Sequence, residues 1–174
     1  GLVSAKAPHH EALRKTFVAM GNCIGPDDAY LAQRGIRTIA VRLQQHHGTG
    51  LMLARWLEGR AEVKSVLHPG LESSPDHALW QRDFTGASGL FGALLHPVTD
   101  TQLAAMLDDL ELFGMGWSWG GYESLLVPVD PAAVRTATTW GEDGQLLRIH
   151  AGLEDAGDLI AELDAAFSRL NAAA

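Results

Sequence analysis

Hydrophobic residues recur along this chain at two different spacings, which separate predicted helices from predicted strands. Spacings of three and four over residues 26–60 predict one long helix. A bend is expected at 45–50, because each glycine there weakens a helix by about 1 kcal/mol. The same spacing predicts shorter helices over residues 9–19, 102–112 and 155–170, and one that starts at 73–76 with Leu79, Trp80 and Phe84 as its buried side.

Strands are predicted at four short apolar segments, residues 63–67, 90–95, 124–129 and 146–150. The second of these is apolar throughout, which is typical of a strand covered on both faces. Strands alternate with helices, and the loops between them are short. The chain is therefore predicted to form an α/β or α+β domain with a mixed sheet covered by helices.

Composition limits the classes of function. The chain has 174 residues, of which 47% are hydrophobic, enough for a domain with its own core. A net charge of −8 without a basic cluster argues against nucleic acid or an anionic membrane as partner. There is neither an apolar run of about 20 residues nor a signal-peptide pattern. Cys23 is the only cysteine, which fits a reducing, cytoplasmic compartment, and its thiol is expected to be buried or nearly so.

Candidate chemistry concentrates around Ser118, which is flanked by Trp117 and Trp119 and followed by Gly120 and Gly121. Adjacent glycines allow backbone conformations in which successive N–H groups and the serine hydroxyl converge on one anion. The two indoles are expected to enclose that anion and to lower the local dielectric, which strengthens charge-assisted hydrogen bonds.

Arg148 is the expected partner of this loop. It shares one face of a predicted strand with Leu146 and His150, so its side chain is expected to point out of the core. A planar guanidinium binds a carboxylate through two parallel hydrogen bonds. The structural alternative is that the glycine pair is a hairpin turn, the tryptophans belong to the core and Arg148 is solvated, and either segment alone leaves both interpretations open.

Other chemistry-bearing residues point to structure. Adjacent histidines such as His9 and His10 project from different faces of a helix, so no metal site is expected there. His46 and His47 fall within the long predicted helix and are interpreted as core or interface residues.

Three segments together resemble one enzyme family. They are Ser-Trp-Gly-Gly-Tyr-Glu-Ser-Leu at 118–125, Leu-Arg-Ile-His-Ala-Gly-Leu-Glu-Asp at 147–155, and Gly-Pro-Asp-Asp-Ala-Tyr-Leu at 25–31 with Arg-Gly-Ile-Arg-Thr at 34–38. These motifs extend over nearly the whole chain. On them, the sequence resembles the pyridoxal-phosphate-dependent Cys/Met metabolism family.

The resemblance implies an architecture: the C-terminal part of a fold-type-I, aspartate-aminotransferase-like enzyme. Residues 1–25 would end the large cofactor-binding domain, 26–60 would form the long connecting helix, and 61–174 would form the small domain that binds the substrate carboxylate. The lysine that carries pyridoxal phosphate is expected upstream of Gly1, because the neighbours of Lys6 do not match the family's lysine motif.

The resemblance also implies an activity, carbon–sulfur cleavage of cystathionine at its β-carbon to give homocysteine, pyruvate and ammonia. Pyridoxal phosphate would take up the electrons released when the α-proton leaves. Family members that act at the γ-carbon or on methionine are the alternatives, and a non-catalytic binding or regulatory module without the lysine is a third. A homotetramer of paired dimers is implied by the resemblance alone.

Carried over residue by residue, the resemblance assigns the substrate-binding roles. Arg148 would bind the α-carboxylate through two hydrogen bonds, and Ser118 would donate a hydrogen bond beside it. Trp119 would shape the pocket and Trp117 would line it. No catalytic residue and no cofactor-binding residue of the family is identified within the chain.

Overall fold

The computed structural model describes residues 3–173. The elements follow in the order α1 (Ala7–Ala19), α2 (Pro26–Ile36), α3 (Ile39–Glu58), β1 (Val63–Leu67), α4 (His77–Asp83), β2 (Leu90–Leu95), α5 (Asp100–Leu107), β3 (Leu125–Val129), a 3₁₀ turn (Pro131–Ala133), β4 (Leu146–His150) and α6 (Ala156–Ala172). The four predicted strands are confirmed, with one boundary changed by a single residue.

The helix predicted over residues 26–60 is two helices, and the prediction of one continuous helix is wrong. The carbonyl of Gly35 accepts hydrogen bonds from both the amide and the hydroxyl of Thr38, at 3.2 and 3.3 Å. This turn separates α2 from α3. A threonine hydroxyl that competes for backbone carbonyls, close to a glycine, favours a turn over a continued helix.

Gly50 brings α3 close to another part of the backbone. A Cβ at Gly50 would lie 3.2 Å from the Cα of Gly89 and 3.4 Å from the carbonyl oxygen of Ser88. α3 runs without interruption through residues 45–50, where a bend was predicted. The missing side chain therefore permits close packing against the segment that leads into β2.

The strands form one four-stranded sheet in the order β1-β2-β4-β3. All three neighbouring pairs are antiparallel, so the prediction of a mixed sheet is wrong. Within residues 3–173, parallel pairing is limited to a single bridge between Gly114 and Leu125. Alternation of helices and strands in the sequence does not determine strand direction. A helical connection can re-enter the sheet at the same end of the strands where the chain left it, and the next strand is then antiparallel.

The core lies between the sheet and the helices α3 and α6. Its buried side chains include Leu53, Ala54, Leu57, Phe91, Ala93, Leu147, Ile149, Leu159, Leu163 and Phe167. In β4, Leu147 and Ile149 are buried in this core, and Arg148 between them is half-buried. The predicted alternation along β4 is confirmed, and it directs Arg148 away from the core.

Side chains cap the first turns of α5 and α6. Thr99 and Gln102 form a capping box at the start of α5, and the carboxylate of Asp155 accepts two backbone amides at the start of α6. α5 ends at Leu107, earlier than the predicted residue 112. The backbone amides of residues 111–113 instead donate to the carboxylate of Glu162 on α6.

Three side chains that were predicted to be buried are exposed. Leu79 is 51% exposed and Phe84 is 64% exposed, because α4 ends at Asp83 and both side chains line a surface cavity. Cys23 is also exposed. Among the helices in residues 3–173, none combines the length and the apolar character needed to cross a membrane.

The chain divides into two compact units, of which one ends at Ile39 and the other begins at Ala40. α1 and α2, in the first unit, carry no buried side chain. The second unit contains the sheet, its core and nearly all of α3. The three-part division at residues 25/26 and 60/61 stays a prediction.

Candidate functional site

The candidate site lies over β4, which has strand neighbours on both sides. Arg148 is paired with Gly92 of β2 and with Val127 of β3. A strand that is hydrogen-bonded on both edges and packed on one face is a rigid support for the side chains on its other face. Arg148 projects from this support towards the loop that carries Ser118.

Arg148 contacts this loop directly. Its Nη2 donates hydrogen bonds to the carbonyl oxygens of Trp117 at 2.7 Å and Gly116 at 3.2 Å. Its guanidinium carbon lies 5.0 Å from the centroid of the Trp117 ring, a cation–π contact. The Trp117 carbonyl belongs to the peptide that joins it to Ser118, so the structure brings Arg148 and Ser118 together, as predicted.

The positive charge of Arg148 has no acidic partner within residues 3–173, where the ion pairs involve other cations. A guanidinium offers a carboxylate two parallel hydrogen bonds from Nη2 together with either Nε or Nη1. Nη2 already donates to two loop carbonyls. The predicted two-bond contact with a carboxylate therefore requires the loop to release one of them.

Gly120 does not form the predicted anion cradle. Its φ of +90° confirms that the loop needs a glycine at this position. Its amide donates to the Nε2 atom of His150 at 3.1 Å. Because this N–H is already used, the Gly120 amide is not available to an anion, whereas Ser118 is exposed.

The two tryptophans do not enclose the site. The exposed fraction is 69% for Trp117 and 55% for Trp119. The prediction that their indoles enclose a bound anion and lower the local dielectric stays a prediction. Both rings instead present apolar surface beside Arg148 and Ser118, available to a ligand or to another part of the protein.

Two glutamates hold the ends of the loop. The Glu162 carboxylate accepts the amides of Leu112 and Phe113 at 2.8 and 2.9 Å. The Glu154 carboxylate accepts the amide and the hydroxyl of Ser124, both at 2.8 Å. Sequence reasoning missed both residues, because each acts on a segment that is distant in the chain. Glu154 stands in the 147–155 motif, but the motif does not show that it contacts Ser124.

His150 is the second functional side chain on the Arg148 face of β4. It is 2% exposed, and burial lowers its pKa below the ordinary value of 6.5, against the opposing effect of a backbone hydrogen bond with Gly121. Its ring lies 5.2 Å from that of His46, measured between centroids. The alternation along β4 placed His150 on the same face as Arg148, but its contact with the loop could not be predicted from the sequence.

A cavity of about 770 Å³ lies elsewhere in the second unit, between α3, α4 and residues 85–88. His68, which lines it, is 1% exposed, and burial lowers the pKa of its imidazole. The His68 Nδ1 atom accepts the amide of Gly70 at 2.9 Å. None of the four predicted site residues lines this cavity.

The lysines do not form an anchor for an aldehyde cofactor. Lys64 is paired with Glu142 and Asp143 at 2.9 and 2.8 Å, and Lys15 is paired with Glu11 at 3.6 Å. Lys6 is exposed at the start of α1. Within residues 3–173, the Arg148 guanidinium beside the Ser118 loop is the group suited to an anionic ligand. No described group of this chain fits covalent attachment of pyridoxal phosphate.

An arginine on a central strand, next to a serine–tryptophan loop in an α/β domain, defines the class of small-molecule sites that bind an anionic group. Comparison with known proteins makes this class more specific. A family model described as "Cys/Met metabolism PLP-dependent enzyme" matches residues 1–168. The chain therefore belongs to the Cys/Met metabolism PLP-dependent enzyme family.

Individual relatives agree with this assignment. Cystathionine beta-lyase of Salmonella typhimurium is 45% identical over 174 residues, which cover 98% of this chain and 44% of that protein. L-alanine/L-glutamate racemase of Wolbachia pipientis wMel is 39% identical, over 98% of this chain and 43% of that protein. The crystal structure of cystathionine gamma synthase from Xanthomonas oryzae pv. oryzae in complex with cystathionine matches with a TM-score of 0.84 and 34% identity, over 99% of this chain and 46% of that one. The chain thus spans less than half the length of these relatives.

Proposed function

We propose that this chain forms the substrate-carboxylate-binding part of a pyridoxal-phosphate-dependent carbon–sulfur lyase. The observation that carries the proposal is Arg148, a half-buried cation on a rigid strand that faces the Ser118 loop and has no acidic partner within residues 3–173. An amino-acid substrate supplies the missing anion through its α-carboxylate.

The proposed reaction is β-elimination from cystathionine, in which cystathionine and water give homocysteine, pyruvate and ammonia. Pyridoxal phosphate, when bound, supplies the electron sink for the carbanion that forms at Cα. The residues of this chain orient the substrate. A carboxylate held by Arg148 fixes the rotation about Cα, and misplacement by about 1 Å can cost on the order of 100-fold in rate.

The loop residues complete the proposed contact with the carboxylate. Ser118 donates a hydrogen bond from its amide or its hydroxyl, beside the Arg148 guanidinium. Trp119 and Trp117 supply the apolar walls of the pocket, which closes when the exposed indoles are covered. Release of the Gly116 carbonyl, the longer of the two bonds to Arg148, makes room for the second hydrogen bond to the carboxylate.

The remaining parts of the proposal concern the complete enzyme. The lysine that anchors pyridoxal phosphate lies outside this stretch, and the chain divides into the end of a large domain (1–25), a connecting segment (26–60) and a small domain (61–174). The enzyme is cytoplasmic and assembles as a homotetramer. The family match supports a cofactor lysine outside this stretch, and the other statements rest on the resemblance to the family alone.

The racemase relative marks a second candidate reaction, because proton removal at Cα is common to racemisation and elimination. The products separate the candidates. The complete enzyme, supplied with cystathionine, is expected to release pyruvate. Release of 2-oxobutyrate would place cleavage at the γ-carbon, and inversion of alanine or glutamate without pyruvate formation would favour racemisation. No turnover of any of these amino acids would favour a binding module.

Replacement of Arg148 tests the carboxylate site in the complete enzyme. Arg148→Ala is expected to lower kcat/KM for cystathionine by about 100-fold, mainly through KM, because a charge-assisted contact with the substrate is lost. The cofactor absorbance is expected to remain, since the proposed ligand of Arg148 is the substrate carboxylate and not the cofactor. Arg135→Ala is the matched control, because Arg135 makes the same 5.0 Å contact with a different tryptophan, Trp140. Unchanged kinetics of Arg148→Ala, or loss of the cofactor absorbance, would contradict the assignment.

A further inference from the structure

His150 and Arg148 hold the two sides of the Ser118–Trp119 dipeptide. They stand two positions apart on β4, on the same face of the strand. Arg148 binds the backbone before the dipeptide, at the carbonyls of Gly116 and Trp117. His150 binds the backbone after it, where its Nε2 atom lies 3.1 Å from the Gly120 amide and 3.2 Å from the Gly121 carbonyl.

The two contacts of His150 require different protonation states of its Nε2 atom. Nε2 accepts the Gly120 N–H when it carries a lone pair, and it donates to the Gly121 carbonyl when it carries a proton. Only the first state satisfies the Gly120 amide. In the neutral ring that state places the proton on Nδ1, which is buried and has no hydrogen-bond partner within the described residues.

The surroundings of His150 favour the neutral ring. His46 is buried against it, and His46 Nδ1 donates to the carbonyl of Ala151 at 2.8 Å. The titratable and charged groups that act on His150 are His46 on α3, Arg148 on β4 and Glu154 before α6. Burial, His46 and Arg148 disfavour a charge on His150, whereas Glu154 and the Gly121 carbonyl favour one.

We infer that His150 is a positioning residue for the carboxylate site: its neutral imidazole holds the Gly120 amide and thereby keeps Ser118 and Trp119 in place beside Arg148. This role deepens the proposed function and rests on it. The substrate does not contact His150, which is covered by the loop that it holds. Its effect is therefore expected in the affinity for the carboxylate group and in the dependence of that affinity on pH.

Protonation of His150 removes the acceptor for the Gly120 amide. Because the folded-state pKa lies below 6.5, the wild-type site is expected to keep its full carboxylate affinity above pH 6.5 and to lose it as the pH falls below that value. His150→Gln provides the matched test. A glutamine side chain reaches the same position, accepts the Gly120 N–H through its oxygen and donates to the Gly121 carbonyl through its amide, and it does not titrate.

The experiment uses the complete enzyme with its cofactor and compares two ligands by calorimetry, the amino acid norvaline and butylamine, which is the same molecule without the carboxylate. The ratio of their affinities reports the carboxylate contact. His150→Leu is expected to lower this ratio by about tenfold, the effect of one lost hydrogen bond that holds the site. His150→Gln is expected to keep the ratio within about twofold and to abolish its decline between pH 7 and pH 5.5.

Controls separate positioning from general stability. His68→Leu removes another buried imidazole and is expected to leave the ratio unchanged. A ratio in His150→Leu equal to that of the wild type would overturn the inference, as would an equal loss in His68→Leu or a pH-dependent ratio in His150→Gln. If the wild type itself fails to prefer norvaline, or if Arg148→Ala keeps the preference, the proposed carboxylate site fails as well. Loss of the preference in Arg148→Ala together with its retention in His150→Leu refutes the role of His150 alone.

Discussion

Arg148 and His150 share a face of β4 because side chains alternate along a strand, and the same alternation places Leu147 and Ile149 in the core. Arg148 contacts the loop at the Trp117 carbonyl, and His150 contacts it at the Gly120 amide, three residues further along the chain. The loop is thus held from below by side chains whose positions depend on the sheet. Its exposed residues, Ser118 and Trp119, are left free to meet a ligand.

Glu162 provides a test of how the start of the loop is held. Its carboxylate accepts the backbone amides of residues 111–113. Glu162→Gln replaces one acceptor oxygen by a donor that opposes these N–H groups. Hydrogen exchange of amides 111–113 is expected to accelerate by about tenfold, which corresponds to about 1.4 kcal/mol of lost protection.

Asp164→Asn is the matched control on the same helix, because it removes an exposed ion pair with Arg60. Such a pair contributes about 0–1 kcal/mol, and it does not touch the loop. Equal exchange rates of amides 111–113 in the wild type and in Glu162→Gln would show that the carboxylate does not hold this segment.

At the scale of elements, two glycines of α3 have different surroundings. Gly48 is exposed, and a Cβ there would meet nothing within 4 Å, whereas a Cβ at Gly50 would press on the backbone of Gly89. Gly89 in turn has no room for a side chain, because its Cβ would collide with the carbonyl oxygen of Ala151. Gly50 and Gly89 therefore allow α3, the start of β2 and the residue that follows β4 to pack closely together.

Alanine substitutions in α3 test this distinction. Gly48→Ala is expected to raise the free energy of unfolding by about 0.5–1 kcal/mol, because alanine favours the helix and loses less entropy on folding. Gly50→Ala is expected to lower it by about 1–3 kcal/mol, because the new methyl group overpacks a tight contact. Urea unfolding of both variants provides the measurement. A gain in stability for Gly50→Ala would show that α3 can move away from Gly89 at little cost.

At the scale of the whole molecule, two buried imidazoles connect stability to pH. His68 and His150 both have folded-state pKa values below the ordinary 6.5, chiefly because of burial. The unfolded chain therefore binds protons before the folded chain does as the pH falls. The stabilisation that depends on these neutral rings is complete above pH 6.5 and declines as the pH falls below it.

Urea unfolding at a series of pH values between 8 and 5 measures this effect. The free energy of unfolding is expected to fall below pH 6.5, and His68→Asn, which keeps an acceptor for the Gly70 amide, is expected to reduce the slope. A free energy of unfolding that rises as the pH falls through this range would contradict the sign derived from burial.

Much of the fold could be predicted from local patterns. The strands, the caps of α5 and α6 and the outward direction of Arg148 follow from periodicity and capping chemistry, which depend on neighbouring residues. The break between α2 and α3, the antiparallel direction of the strands and the exposure of Leu79 could not be predicted in this way. Each depends on what a segment meets in space, and alternation or composition does not contain that information.

The amino-acid sequence by itself determined the four strands, the family and the expectation that Arg148 meets the Ser118 loop, because these follow from local spacing and from motifs. Only the tertiary structure decided how the loop is held. His150 contacts Gly120 from a position 30 residues away in the chain, and Glu162 reaches Phe113 across 49 residues. Such contacts form when strands and helices pack, because packing brings a buried acceptor to an amide that no nearby residue can satisfy.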